Sequence, residues 1–321
     1  MDLPQVSQAK LKAIARLLNN RPSKCHNFNP PLPTYFSGKS LIYKPVLPFK
    51  PETAPANVMA SPVFSIVTIC WNARTTLERT LQSVTEQKGP AFEYIVIDGG
   101  STDDTVDLLR AWSDRITHWV SEPDGGISAA FNKGLRLCRG EWIGTINADD
   151  WYEPGALAAV VALPESVEIA CGHMRYWDDD QPATVFAADP TRLPREMTIN
   201  HQATFVRRRV YERLGYFRED YQYAMDYELF LRFYLGGASF VEVDRILANM
   251  RYHGVSHRRW KRAYAEVRRA KIEHGIGVMR AWRHWLVHIT RGWIRSLLVA
   301  LHLGALVTYY RRRFSVLRKS S

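Results

Sequence analysis

From Phe64 onward, short apolar runs alternate with longer segments whose apolar residues recur every three or four positions. "FSIVTIC" reads as a buried strand, and "RTTLERTLQSVTEQ" as a helix with Leu77, Leu81 and Val84 on one face. "FEYIVID", "ITHWVSE" and "EWIGTINA" read as further strands. "DDTVDLLRAW", "GISAAFNKGLRLC" and "PGALAAVVALP" read as the helices around them. Such alternation implies βαβ units and a parallel sheet. After Cys171 the pattern loosens. "ACGHMRYW" and "ATVFAA" look like strands, "NHQATFVRRRVYERLGYF" like a strand and a short helix ending at Gly215, and "DYELFLRFYLGG" like a helix closed by glycines. The expected architecture is α/β: a mostly parallel central sheet flanked by helices, with a mixed second half continuous with it.

Both ends depart from this pattern. Leu11, Ile14, Leu17 and Leu18 fall on one face of a short helix, and prolines then crowd Arg21 to Pro62. No apolar core follows the start of the chain, so a signal peptide is not expected there. From Arg258 the chain turns basic and helical, and "WIRSLLVALHLGALVTYY" is its most apolar part. The uninterrupted run Ser296–Tyr310 contains His302 and is shorter than the roughly 20 residues a spanning helix needs. Arg291, Arg295 and Arg311 to Arg313 flank it. The favoured expectation is an interfacial amphipathic helix; a spanning helix and a helix packed on protein are the alternatives. Three segments result: an N-terminal helix and Pro-rich extension (1–62), an α/β domain (63–257) and a membrane-associating basic region (258–321).

Composition adds a constraint on partners. The 321 residues are 46% hydrophobic and 23% charged, ordinary for a globular chain, and the net charge of +11 favours an anionic partner. Basic residues gather after Arg258, and acids in the middle. The cysteines, Cys25, Cys70, Cys138 and Cys171, form no CxxC pair, which argues against zinc or redox motifs and fits a reducing compartment.

Candidate chemistry gathers at the strand ends, where open α/β sheets bind ligands. "CWNAR", "DGGSTDDT", "EPDGG" and "NADD" all stand there. Asp98 ends a strand before Gly99, Gly100 and Ser101, so the backbone can turn tightly against a ligand while the acid accepts hydrogen bonds from a nucleobase or ribose. Ser101 or Asp103 can cap the next helix. Asp124 precedes Gly125 and Gly126 at a helix start, a position that attracts anions. Asn132 and Lys133 lie about two turns along, with Lys133 able to approach a phosphate. Asp149 and Asp150 are adjacent and repel unless they share positive charge. A hard divalent cation, Mg2+ or Mn2+, with water and a diphosphate completing its shell, meets that need. Trp151, Tyr152, Tyr176 and Trp177 can stack on sugars or fill a core.

Taken together, "FSIVTICWNA", "VIDGGSTDDT", "SEPDGGISAAFNKGL", "GEWIGTINADDWYEPGAL", "NHQATFVRR" and "MDYELFLR" resemble an inverting family 2 glycosyltransferase of the GT-A fold, over residues 63–255. The resemblance implies a nucleotide pocket lined by Thr68, Trp71, Asn72 and Asp98, with Gly99, Ser101, Asp124, Asn132, Lys133, Asn147 and Ala148 contributing. Asn147-Ala148-Asp149 occupies the DxD position, with Asn147 replacing its first acid. Asp149 is implied as metal ligand, Asp150 as its support or a sugar contact, and His253 as a further metal or diphosphate contact. Asp226 matches the general base, and Met225 stands where the family often has another acid. Glu228 is expected to turn away and pair with an arginine. His201 and Trp151 are placed on the acceptor or diphosphate side.

The implied activity is metal-dependent, inverting transfer of a sugar from a nucleoside-diphosphate sugar, most often a UDP-sugar, to a hydroxyl of a glycan or lipid-linked acceptor. The implied setting is bacterial polysaccharide biosynthesis at the cytoplasmic face of the inner membrane. A nucleotidyltransferase would use similar acids but needs a basic triphosphate clamp, which is not seen after the first strand. Nucleic acid is not an expected partner, because a cleft lined with acids repels a phosphate backbone. A non-catalytic scaffold is disfavoured by the intact Asp149 and Asp226. Deleting residues 258–321 is expected to free the chain from membranes and leave donor hydrolysis.

Overall fold

The computed structural model describes residues 62–178, 180–251 and 259–301. The expected N-terminal helix, the Pro-rich extension up to residue 61, His253 and the apolar run beyond Leu301 lie outside the described residues.

β1 (Phe64–Cys70) is buried along its whole length because it runs between two parallel neighbours, β2 (Phe92–Asp98) and β4 (Trp142–Asn147). β3 (His118–Ser121) continues the parallel sheet beyond β2. Helices cover both faces, so these strands need apolar residues on both sides and read as nearly continuous hydrophobic runs. One face carries Phe64, Ile66, Tyr94, Val96, Trp142 and Ile146 under α1 (Leu77–Thr85), α2 (Thr105–Ala111) and α4 (Ala156–Val161). The other carries Val67, Ile69, Ile95, Ile97 and Ile143 under α3 (Ile127–Leu137), α5 (Arg208–Leu214) and α6 (Met225–Leu235). Each fully buried side chain of this size stabilises by about 1.5–3 kcal/mol. Gly134 on α3 sets how closely that helix approaches, since a Cβ there would stand 2.4 Å from Val67 Cγ1.

The second half joins the same sheet with mixed directions. β8 (Thr204–Arg207) pairs antiparallel with both β4 and β6 (Ile169–Asp178), and β7 (Gln181–Phe186) hangs antiparallel off β6. β9 (Phe240–Arg251) runs parallel to β6 and receives the two-residue β5 (Trp151–Tyr152) on its other side. The hydrophobic pattern did not reveal β9. Its "FVEVDRILANMR" interleaves Glu242, Asp244 and Arg245 with few buried positions, and its register against β6 shifts around His173. A strand interrupted by irregular pairing loses the period-two signature.

Two helices complete the described chain, α7 (Trp260–Glu273) and α8 (Val278–Ala300). α7 packs Val267 and Ala270 against Tyr221, Ala224, Tyr227 and Leu231 at the start of α6. α8 lies on α7, where Gly292 admits the Trp260 ring and Ala281 is fully buried. Met279, Trp282, Leu286, Trp293 and Leu297 of α8 remain exposed, with Arg268 and Lys261 of α7 over the Trp282 and Trp293 rings. No helix among the described residues is long and apolar enough to cross a membrane.

Candidate active site

The carboxyl ends of β1 and β2 form one hydrogen-bonded unit. After β1 the chain turns through Asn72, whose φ of 49° is one of the positive values asparagine tolerates. Its N–H donates to Ser101 Oγ at 2.7 Å, and its Oδ1 accepts from the Thr102 N–H at 2.8 Å. The Ala73 N–H donates to Thr105 Oγ1 at 2.9 Å. Trp71, at the tip of β1, is exposed. Asp98 stands where expected but is fully buried and serves the protein itself. Oδ2 accepts from the Ser101 N–H at 2.9 Å and the Ser121 hydroxyl at 2.7 Å; Oδ1 accepts from the Ser101 hydroxyl and, at 3.5 Å, from the Cys70 thiol. It therefore anchors Ser101, and through Ser101 the Asn72 turn. Thr68 is corrected: it is fully buried, with its Oγ1 2.9 Å from the Tyr94 hydroxyl, and it belongs to the core.

Asp124 completes this edge. A Cβ on Gly99 would lie 2.8 Å from Asp124 Oδ2, so the bare backbone at Gly99 lets the two loops meet. The Gly126 N–H donates to Asp124 Oδ1 at 2.8 Å. The Asp124 carboxyl is raised above its ordinary range, chiefly by burial; the Asp98 charge adds to this, while the Gly126 N–H and Lys133 oppose it. Lys133 pairs with Glu122 at 2.8 Å. Asn132 is a second correction. Its side chain donates to the Phe217 carbonyl at 2.9 Å and to Glu219 Oε1 at 3.0 Å, and accepts from the Phe217 N–H at 3.0 Å. These bonds tie α3 to the segment before α6 and remove Asn132 from the nucleotide side.

The adjacent acids at the end of β4 have different environments. Asp150 is almost fully buried, and its Oδ2 accepts from Gln202 Nε2 at 2.8 Å and Asn147 Nδ2 at 3.1 Å. Its carbonyl accepts from the Thr80 hydroxyl at 2.7 Å. Two amide donors thus hold one oxygen of this carboxylate, Oδ2, in place. Asp149 is half-buried. Among the described residues no three His, Cys, Asp or Glu side chains converge as a metal cage. One carboxylate with water and substrate oxygens is still a donor set that suits Mg2+ or Mn2+. Ala148 is buried between these groups. Trp151 is corrected as an acceptor contact: it is buried, with the Arg79 guanidinium 3.4 Å from its ring centroid and Trp177 packed 5.5 Å away.

The turn His201–Ala203 brings the two acidic regions together. Gln202 holds Asp150, while His201 Nδ1 stands 4.0 Å from Asp226 Oδ2. That separation is too long for a hydrogen bond. Burial lowers the His201 pKa to about 4, so its ring is neutral near pH 7, and its buried Nε2 has no hydrogen-bond partner among the described residues. Asp226 lies in the first turn of α6 and accepts the Tyr227 N–H at 2.8 Å. Burial is the main cause that raises its pKa to about 6; backbone N–H groups oppose the rise, and the charge of Glu266 adds to it. Glu228 turns away, as expected, and meets Arg232 at 2.9 Å and His274 at 2.9 Å. Gln202 and Glu266 were not singled out in the sequence, where a glutamine beside a histidine and one glutamate in a basic helix carry no distinguishing pattern.

Residues 65–225 match the family described as Glycosyl transferase family 2. The chain belongs to this family and is a glycosyltransferase. It is 32% identical over 182 residues to a PGL/p-HBAD biosynthesis glycosyltransferase of Mycobacterium tuberculosis, covering 54% of this chain and 70% of that protein. It is 26% identical over 216 residues to the chondroitin synthase of Escherichia coli, covering 64% of this chain and 31% of that enzyme. Among solved structures, Staphylococcus aureus TarS 1–349 in complex with UDP-GlcNAc has a TM-score of 0.55 at 16% identity, covering 70% of this chain and 71% of that one. The mannosyltransferase PcManGT of Pyrobaculum calidifontis, in complex with GDP-Man and Mn2+, has a TM-score of 0.54 at 19% identity, covering 81% of this chain and 85% of that one. The glycosyltransferase has the GT-A fold of these neighbours, as the sequence led us to expect.

Proposed function

We propose that this glycosyltransferase moves a sugar from a nucleoside-diphosphate sugar to an acceptor hydroxyl by a single displacement, with Asp226 as general base. The observation that carries the reading is the Asp226 carboxylate: partly buried, its pKa raised to about 6, and 4.0 Å from the His201 ring in the turn whose Gln202 holds Asp150 at the end of β4. A base works best when its pKa lies near the working pH. The acceptor oxygen attacks the anomeric carbon as the bond to the diphosphate oxygen breaks. The acceptor proton passes to Asp226, and the electron pair of the broken bond leaves with the nucleoside diphosphate. Attack opposite the leaving group inverts the anomeric configuration.

Neutral His201 sits beside this base without adding a positive charge that would weaken it. The nucleoside is assigned to the edge formed by Trp71, Asn72, Gly99 and Asp124, which Asp98 holds in shape from below. Asp149 would hold a divalent cation together with the donor diphosphate, with Mn2+ or Mg2+ as the candidates. Such an ion would neutralise charge on the leaving diphosphate. The acceptor is read as a glycan or lipid-linked hydroxyl. The exposed apolar residues of α8, flanked by Arg280, Arg283 and Arg291, are read as an attachment to an anionic membrane surface, and the cytoplasmic face of a bacterial inner membrane is the setting this suggests.

The test is a panel of UDP-glucose, UDP-N-acetylglucosamine, UDP-galactose, GDP-mannose and TDP-glucose with Mn2+ or Mg2+. It is scored by thermal stabilisation and by release of nucleoside diphosphate. One donor should raise the melting temperature and release its diphosphate, with an acid limb near pH 6. Release of pyrophosphate instead would move the reading to a nucleotidyltransferase.

A further inference from the structure

We propose that Glu266, on α7, is a positioning residue for Asp226, so that a helix well beyond the family-matched segment forms part of the catalytic apparatus. The inference rests on Asp226 being the base. α6 begins at Met225, after a cap residue, Ala224, whose side chain cannot accept a hydrogen bond, and Asp226 itself accepts the Tyr227 N–H of the first turn. Glu266, from another helix, instead holds the segment that leads into this turn. One carboxylate receives the N–H groups of three successive residues: Gln222 at 3.1 Å, Tyr223 at 2.7 Å and Ala224 at 2.8 Å. Asp226 follows two residues later. The carboxylate also faces the positive end of the α6 dipole.

α7 is well anchored for this task. Val267 and Ala270 pack on Tyr221, Ala224 and Tyr227, and the Lys271 ammonium donates to the Arg195 carbonyl at 2.6 Å. Glu273 receives Arg218 at 2.7 Å and Arg269 at 2.7 Å, and the Tyr221 hydroxyl donates to it at 2.9 Å. Glu266 therefore sits on a fixed platform, and the position of α6 follows from it.

The charged surroundings give the role a signature beyond structure. Asp226 faces His201 from the turn before β8 and Glu266 from α7; on α6 itself, Glu228 is bound to Arg232 and His274. The negative charge of Glu266 raises the Asp226 pKa. Removing that charge lowers it, and the acid limb of the pH profile then moves to lower pH. The expectation for a chain cut at residue 258 also changes, because the cut removes Glu266 and donor hydrolysis should fall with it.

The test uses full-length Glu266→Gln, which keeps the shape and removes the charge, with release of nucleoside diphosphate from the donor found in the panel. Turnover should fall about tenfold with donor affinity unchanged within about twofold, and the acid limb should move down in pH. Glu273→Gln, on the same helix but away from the α6 terminus, should lower stability without moving the limb. Glu266→Asp keeps the charge on a shorter side chain; it should lower turnover and retain the wild-type limb, and it serves as the test if the glutamine variant does not fold. Wild-type turnover and limb in Glu266→Gln, or wild-type turnover in Glu266→Asp, would overturn the inference. If Asp226→Asn also turned over normally, the assignment of the base itself would fail, and that result is distinct from a silent Glu266.

Discussion

Asp98 and Asp226 are both carboxylates drawn back from water, Asp98 completely and Asp226 in part, yet their surroundings differ in what they donate. Asp98 is met by the Ser101 N–H and hydroxyl, the Ser121 hydroxyl and the Cys70 thiol. Asp226 accepts the Tyr227 N–H at 2.8 Å, has neutral His201 at 4.0 Å, and feels Glu266 as a like charge. Burial removes water fully from Asp98 and partly from Asp226, but only Asp98 receives a full set of replacement donors. A carboxylate with its lone pairs satisfied is a structural anchor. One left short of donors holds its proton up to about pH 6 and can take a proton from an attacking hydroxyl. Asp150 lies between the two, with Gln202 and Asn147 both donating to its Oδ2.

The strongest way to break this contrast is Asp226→Asn. Turnover should fall by ~10²–10⁴, the usual contribution of a positioned base, while thermal stabilisation by the donor persists. A loss of less than tenfold would remove Asp226 from the base role. Asp98→Ala should act the other way round. It strands the hydroxyls of Ser101 and Ser121 and frees the Asn72 turn, costing about 2–4 kcal/mol in the denaturant midpoint. An unchanged midpoint would mean that the four donors contribute little.

Stability should also separate the two acids as a function of pH. The folded-state pKa of Asp226 lies above its ordinary value of 3.8, at about 6, so the native state binds its proton more tightly than the unfolded chain does. The contribution of this group to stability is therefore present below about pH 4 and is lost as pH rises through 6. Asp226→Asn removes that penalty. It should stabilise the protein by on the order of 1–2 kcal/mol at pH 7, discounted for partial exposure, and by little at pH 4. Urea melts at the two pH values measure it, and equal shifts at both would contradict the raised pKa.

What the sequence disclosed follows the same physics. Strands buried on both faces betray themselves by apolar runs, so β1, β2 and β4 were legible, as were the polar clusters that end them. Asp98, Asp149 and Asp226 drew attention because they stand at element boundaries, where few other residues compete for it. Thr68, Asn132 and Trp151 were misread because sequence position gives the neighbourhood of a side chain and says nothing of its partners. Asn132 and Lys133 are consecutive, yet α3 points one at Phe217 and pairs the other with Glu122. β9 was missed because its charges and shifted register hide its period. Gln202 and Glu266 act on residues 52 and 42 positions away, at Asp150 and Ala224, a relation no local pattern encodes.

The smallest expected effect sharpens the boundary between the floor of the site and its lining. Thr68 faces the interior of the sheet, between Val96 and Ile146 of the neighbouring strands, with its hydroxyl on Tyr94 at 2.9 Å. Thr68→Val keeps the shape and removes one buried hydrogen bond, leaving the Tyr94 hydroxyl without that partner. The cost should be about 1 kcal/mol in the denaturant midpoint. Donor affinity should stay within about twofold, because no atom of the side chain reaches the ligand edge. If thermal stabilisation by the donor dropped severalfold instead, the nucleotide would have to penetrate below the Asn72–Ser101 contact. Asp98 would then be reopened to a direct role, and the contrast between the two acids would narrow to one of degree.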